Sequence, residues 1–139
     1  MSRRFRLALA LTAILGLAAP AYRIAASAGP GERTVHIRIH FSRYTPDVVD
    51  VRPGETVRFV VENTDPIDHE FLVGDREVQR IHEKGTEPSH PPRPGEMSVP
   101  AGTTRVTTYT FPSAPGSLIF ACHLPGHYAY GMRGTITIA

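Results

Sequence analysis

Tryptophan is absent from the 139 residues, and cysteine occurs once. A single cysteine excludes an internal disulfide, and it excludes the thiolate-rich clusters that hold structural zinc. There is no excess of charge of either sign: 15 basic residues face 13 acidic ones. That balance gives no basic patch, and it argues against a nucleic-acid partner. No repeat of solenoid length and no His-x-His pair occurs anywhere in the chain. Long apolar runs are missing as well, apart from the stretch Leu7 to Ala19 near the start.

That stretch is too short for a comfortable membrane span. Arg3, Arg4 and Arg6 precede it, and the small-x-small sites Ala19-Pro20-Ala21 and Ala26-Ser27-Ala28 follow it. This is the layout of a secretory signal over residues 1–28, with cleavage expected after Ala21 or Ala28. An uncleaved N-terminal anchor is the competing reading. Ser2-Arg3-Arg4-Phe5 hints at a twin-arginine signal, although paired arginines are common in ordinary basic starts. Cleavage after Ala21 leaves 12 basic against 13 acidic residues, a net charge of −1. The expected location is therefore periplasmic or secreted, with no membrane span in the mature form. Outside the cytoplasm a lone thiol is an oxidation liability unless it is buried or bound to a metal.

Glycine and proline are plentiful, 25 residues together. That suits short strands joined by turns. Val35, Ile37, Ile39 and Phe41 alternate with polar residues, which predicts a first strand with His36 and His40 on its solvent face. A second segment runs from Tyr44 through Val51, and a third strand covers Val57, Phe59 and Val61 after the Arg52-Pro53-Gly54-Glu55 turn. Phe71 and Val73 mark a fourth, beginning at His69. Residues 74–104 break the pattern with five prolines and many charges. They read as a long loop with one helical turn around Glu77 to His82. Alternation resumes at Val106 to Phe111, then Leu118 to Phe120, then Gly134 to Ile138. Seven to eight short strands of this spacing predict an all-β Greek-key sandwich over residues 34–139, with a long Pro-rich loop.

The informative run is Ala121-Cys-His-Leu-Pro-Gly-His-Tyr-Ala-Tyr-Gly-Met132. It places the thiol of Cys122, the imidazole of His127 and the thioether of Met132 in one turn between two predicted strands. A loop that leaves one strand and enters the next can aim all three at one point. A fourth donor has to come from another strand, to tie the loop to the sandwich. His69, at a strand start, is preferred over His36, His40, His82 and His90. Two imidazoles, one thiolate and a thioether are the ligands of a mononuclear type 1 copper site. Zinc seldom uses Met, while magnesium and calcium require oxygen donors. Each residue also has a plainer reading: Cys122 as a buried thiol, Met132 as core filling, His127 as a surface side chain. His82, His90 and Met97 offer a second, weaker copper-loading site, against the simpler reading of a solvated loop.

The chain resembles the cupredoxins, the plastocyanin and azurin family of blue copper proteins. The resemblance covers residues 34–139 and rests on four segments: the Val51-to-Val57 turn, the Asn63-to-Phe71 segment, the Cys122-to-Met132 loop and the closing Gly-Thr-Ile strand. It implies His69, Cys122 and His127 as near-trigonal copper ligands and Met132 as the axial one. It implies that Gly131 and Gly134 let the loop turn back. It also implies a redox protein partner docking near His127, on a patch of Leu124, Pro125, Tyr128 and Tyr130. Multicopper oxidases carry His on both sides of this Cys. Here Ala121 stands on one side and His123 on the other, so a trinuclear oxygen-reducing centre is excluded within one chain, and His123 reads as a surface or supporting residue.

The function expected is one-electron transfer without a bound substrate. Copper handling (storage, delivery or tolerance) is the alternative with the same ligands. A copper module of a larger oxidase or reductase is weaker, because its further ligands are missing. Nucleophilic catalysis by Cys122 is weaker still, since no oxyanion-hole feature can be read.

Overall fold

The computed structural model describes residues 32–85 and 93–139. The expected signal segment lies outside the described residues, as does His90. Among the described residues nine strands and one helix follow in the order β1 (Arg33–Ile39), β2 (Tyr44–Thr45), β3 (Val48–Val51), β4 (Thr56–Asn63), β5 (His69–Gly74), α1 (Arg76–Glu83), β6 (Glu96–Val99), β7 (Thr104–Thr110), β8 (Gly116–Ala121) and β9 (Arg133–Ile138). They form two sheets, ordered β2-β1-β4-β7 and β3-β9-β8-β5-β6. β1 runs parallel to β4 and β3 parallel to β9, while the remaining pairs are antiparallel. The expected all-β sandwich is the fold.

Period-2 patterning explains the core. In β1, Val35, Ile37 and Ile39 are buried while His36 and Arg38 are exposed. In β4, Val57, Phe59 and Val61 face the same layer. The opposite sheet contributes Phe71, Val73, Val99, Phe120, Ile136 and Ile138. Phe71 joins the layers: its ring lies 5.1 Å from that of Phe59 and 5.4 Å from that of Phe120. Fully burying one such side chain contributes about 1.5–3 kcal/mol.

Two expectations are corrected. The segment from Tyr44 to Val51 is not one strand. It crosses between the sheets, with β2 on β1 and β3 on β9. The described residues of 74–104 are not a long loop with one helical turn either. α1 covers two turns, because the Asp75 carboxylate caps it by accepting from the N–H groups of Glu77 and Val78, each at 2.9 Å. That one carboxylate offsets two of the orphan donors of the first turn. β6 then pairs antiparallel with β5 and buries Met97 and Val99. Met97 is therefore part of the core. Its apolar signal was only four residues long and flanked by prolines, too short to register as a period. Of the predicted loop, residues 86–92 lie outside the described residues.

Candidate metal centre

The candidate ligands gather at one end of the sandwich. His69 opens β5 and is buried; Cys122 follows β8 and is fully buried. The loop 122–132 returns the chain from β8 to β9 in a tight series of turns. The N–H groups of His127, Tyr130 and Gly131 donate to the carbonyls of Leu124, Gly126 and Tyr128, each at 2.9 Å. Met132 N–H donates to the His127 carbonyl at 2.9 Å, and Cys122 N–H to the Met132 carbonyl at 3.2 Å. Cys122, His127 and Met132 are thus tied together through their backbones. Gly131 adopts φ +90°, a conformation that L side chains rarely reach. Gly134 has a different role from the turn glycine expected. It lies in β9, and a Cβ there would sit 2.1 Å from Phe120 Cζ and 2.6 Å from the Asp47 carbonyl. It is a close-packing glycine.

Three donors converge. His69 Nδ1 lies 3.3 Å from His127 Nδ1, and Cys122 Sγ lies 3.2 Å from His127 Nδ1. One ligand atom from each of the three lies within 4.8 Å of the others, the only such group among the described residues. Met132 is completely buried in the core, and its backbone is hydrogen-bonded to those of Cys122 and His127. Soft sulfur next to imidazole nitrogen, shielded from water, fits copper and no hard cation.

The surroundings fix this arrangement. His69 Nε2 is 2.9 Å from Asp65 Oδ2, which orients the ring with Nδ1 toward the other donors. Asp65 also accepts from the N–H groups of Phe41 and Ser42 at 2.7 and 2.8 Å. Burial pushes the Asp65 carboxyl up, but those two N–H groups and His69 outweigh it, so the group is held below its ordinary value. Asn63 braces the same turn. Its amide donates to the carbonyls of Ile67 and Val99, and its oxygen accepts from Asp65 N–H. The Glu70 N–H donates to Cys122 Sγ at 3.3 Å. Burial raises the Cys122 thiol, opposed by the N–H groups of Leu124 and Glu70. Burial, and then the neighbouring His69, lower His127. A neutral imidazole is the form that binds a metal.

Sequence reasoning missed Asp65, whose partner is set by a turn and not by any helical or strand period. It also missed Gln79, buried on α1, whose Oε1 is 2.7 Å from His123 Nε2. His123 is half-buried, its ring stacked on Tyr128 at 4.7 Å and 16°. The solvent face at His127 is a shallow depression lined by Pro66, Ile67, Asp68, Leu124, Pro125 and His127. Tyr128 lies outside that lining, its ring between His123 and the Arg133 guanidinium, which lies 5.3 Å from the ring centroid. Tyr130 is 79% exposed.

Comparison with known proteins agrees with this geometry. Residues 33–139 match the family described as copper binding proteins, plastocyanin/azurin family. The copper-resistant cuproprotein CopI of Rubrivivax gelatinosus is 35% identical over 115 residues, spanning 80% of this chain and 69% of that protein. CopI of Pseudomonas aeruginosa is 28% identical, spanning 81% and 80%. Among solved structures, reduced auracyanin from Roseiflexus castenholzii superposes with a TM-score of 0.64 at 26% identity, covering 76% of this chain and 96% of that one. Auracyanin B gives 0.65 at 23% identity, covering 80% and 91%, which speaks for the fold alone. A His-Cys-His group at the end of a two-sheet sandwich, His69 and Cys122 buried and His127 at its edge, in a chain matched over residues 33–139, places this protein in the plastocyanin/azurin family of copper-binding proteins.

Proposed function

We propose that this chain is an exported type 1 copper protein that passes single electrons. In this reading His69, Cys122 and His127 are the equatorial ligands and Met132 the axial one. The observation that carries it is the convergence of His69 Nδ1, Cys122 Sγ and His127 Nδ1 in a site braced from every side by backbone hydrogen bonds. Copper bound there supplies a one-electron couple. The chain's own part is to hold one geometry for both oxidation states, so that little rearranges on electron transfer. Asp65 keeps the His69 ring from turning, the Glu70 N–H steadies the sulfur, and the paired backbone of residues 122–132 resists expansion. The partner meets the protein at the depression of Pro66, Ile67, Leu124 and Pro125, with the edge of His127 at its floor.

A second reading, copper tolerance, is favoured by the likeness to the CopI copper-resistant cuproproteins. The two differ in what leaves the site, an electron or the ion. Optical and EPR spectra of the Cu(II)-loaded protein test the ligands. An intense thiolate-to-copper band that disappears in Cys122→Ser is the expected result, and retention of the band in that variant overturns the assignment. Electron exchange with a small redox partner much faster than copper release to a thiol acceptor supports transfer of electrons. The reverse order of rates supports handling of the ion.

A further inference from the structure

His40, just past the end of β1, has no part in the function described so far, yet it meets the carboxylate that supports a ligand. The chain turns there in a tight hairpin: His40 N–H donates to the Arg43 carbonyl at 3.0 Å, and Arg43 N–H to the His40 carbonyl at 3.2 Å. Phe41 and Ser42 between them take φ values of 50° and 51°, both positive as a type I′ turn requires. Their N–H groups end on Asp65, that of Phe41 on Oδ1 at 2.7 Å and that of Ser42 on Oδ2 at 2.8 Å. Asp65 thus locks the hairpin, and the hairpin sets the His40 ring beside it, with Nδ1 3.7 Å from Asp65 Oδ1. The other oxygen, Oδ2, is 2.9 Å from His69 Nε2. One buried carboxylate is therefore shared by two imidazoles, one open to solvent and one in the metal centre.

The neighbours of His40 fix which nitrogen carries its proton. Nδ1 is 3.0 Å from Thr64 Oγ1, and the Thr64 hydroxyl donates its single proton to the Ile39 carbonyl at 2.7 Å. Oγ1 can then only accept from His40, so the neutral ring is the Nδ1–H tautomer. The nitrogen left to take a proton is Nε2, on a side chain that is 47% exposed. Protonation there leaves the contacts of Nδ1 with Thr64 and Asp65 in place and changes only the charge. A histidine is the side chain that makes this change between about pH 5 and 8. Asp65 stays ionised over that range: burial raises its carboxyl, but the N–H groups of Ser42 and Phe41 and the His69 ring outweigh burial. The remaining ionisable groups packed around the hairpin have other partners. Arg38 on β1 stands opposite Glu62 on β4, and the Arg43 guanidinium donates to the Ser42 carbonyl at 2.9 Å. Asp68 accepts from Ala101 N–H at 2.8 Å, and the Tyr44 phenol on β2 donates to the Glu70 carbonyl.

We infer that His40 tunes the copper couple through Asp65: its protonation draws on the carboxylate that supports His69 and raises the reduction potential. With the metal on Nδ1, His69 keeps its proton on Nε2 and donates it to Asp65, and the anion makes Nδ1 a stronger donor. A cation on the opposite oxygen offsets part of that anion, which disfavours Cu(II) more than Cu(I). Reduction then takes one electron at the metal and, on average, a fraction of a proton from solvent at His40 Nε2; no other bond forms or breaks. The potential falls as pH rises through the titration of His40 and levels on either side. The inference rests on copper being held at His69, and it applies whether the centre passes electrons or hands on the ion.

The test is voltammetry of the copper-loaded protein between about pH 5 and 8. A partly exposed ion pair changes an equilibrium by about twofold to fivefold, which is a step of about 20–40 mV at about 59 mV per tenfold for one electron. His40→Gln keeps a donor toward Thr64 but gains no charge. It should hold the alkaline potential throughout, with the visible band intact to report a folded, loaded protein. His36→Gln, on the exposed face of β1, should keep the step. In an Asp65→Asn background the part of the step due to His40 should shrink by about half or more. Nitrogen NMR of the Cu(I) protein gives a readout apart from the potential, and the neutral His40 ring should carry its proton on Nδ1. A flat profile in the parent overturns the inference, as does a step that survives in His40→Gln or is lost in His36→Gln. An undiminished step in the Asp65→Asn background, or a proton on Nε2 in the neutral ring, overturns it as well. A parent protein that shows no visible band with copper fails in a different way: it overturns the assignment of the copper site, and this inference with it.

Discussion

Asp65 is 6% exposed, yet it carries a carboxylate against the ring of His69. Such a group is tolerated only because three donors surround it. Two of them are the N–H groups of Phe41 and Ser42, whose φ values of 50° and 51° are unusual for residues other than glycine. Strain of about 1–3 kcal/mol per residue is the expected cost of that backbone, and the carboxylate helps to offset it. An anion on the far nitrogen of His69 also increases the basicity of the near one and favours Cu(II) over Cu(I). Asp65→Asn removes the charge and turns an amide donor or a weaker acceptor toward His69. Cu(II) affinity should fall about tenfold to a hundredfold and the reduction potential should rise. Competition against a Cu(II) chelator and voltammetry measure the two effects. An unchanged potential would show that Asp65 positions the ring without tuning it.

At the scale of the element, the 122–132 loop and α1 contribute differently. The loop is held between β8 and β9, and its return depends on the close approach of those strands. Gly134→Ala drives a methyl into Phe120 and the Asp47 carbonyl. Overpacking of this kind costs about 1–3 kcal/mol. A denaturant titration should show a lower midpoint at an unchanged slope, and full wild-type stability would mean that β9 shifts without penalty. α1 is short and draws little from propensity, so its cap matters. Asp75→Ala should cost about 1 kcal/mol, read by the same titration. It should also loosen Gln79 and His82, which α1 carries toward His123. The helix was under-read in the sequence for a physical reason. Its apolar residues, Val78 and Ile81, are too few to mark a face, and what anchors it is the buried amide of Gln79, a polar residue that no hydrophobic period reveals.

For the whole molecule, stability and metal binding are linked. Metal that binds the folded chain raises its stability by about 4 kcal/mol when free metal is a thousand times the dissociation constant. Calorimetry of the copper-free and copper-loaded forms should therefore separate their melting temperatures; equal values would contradict a preformed site. Acid acts through the carboxylates. The Asp65 carboxyl is held below its ordinary value by the balance described above, and that of Glu55 chiefly by its hydrogen bond to Arg33. A carboxylate lowered on folding adds stability that is present above its unfolded pKa of about 4 and is lost as pH falls through the folded value. The copper-free protein should thus weaken below about pH 4, with Asp65→Asn flattening that part of the curve in an acid unfolding series.

The sequence by itself determined the strand periodicity, the sandwich class and the short list of donors. Alternation of side chains is a local property of a pleated chain, and Cys122, His127 and Met132 fall within one loop, where spacing alone limits their separation. His69 was legible as a strand start. The tertiary structure decided what joins distant segments. It brought His69 Nδ1 to within 3.3 Å of His127 Nδ1 from 58 residues away. It set Asp65 behind His69, turned Glu70 N–H onto the Cys122 sulfur, and carried α1 in to meet His123. Those contacts depend on how two sheets pack and which turn lies beneath which strand. Such relations are fixed by the burial of Phe59, Phe71 and Phe120 between the layers, and no single segment encodes them.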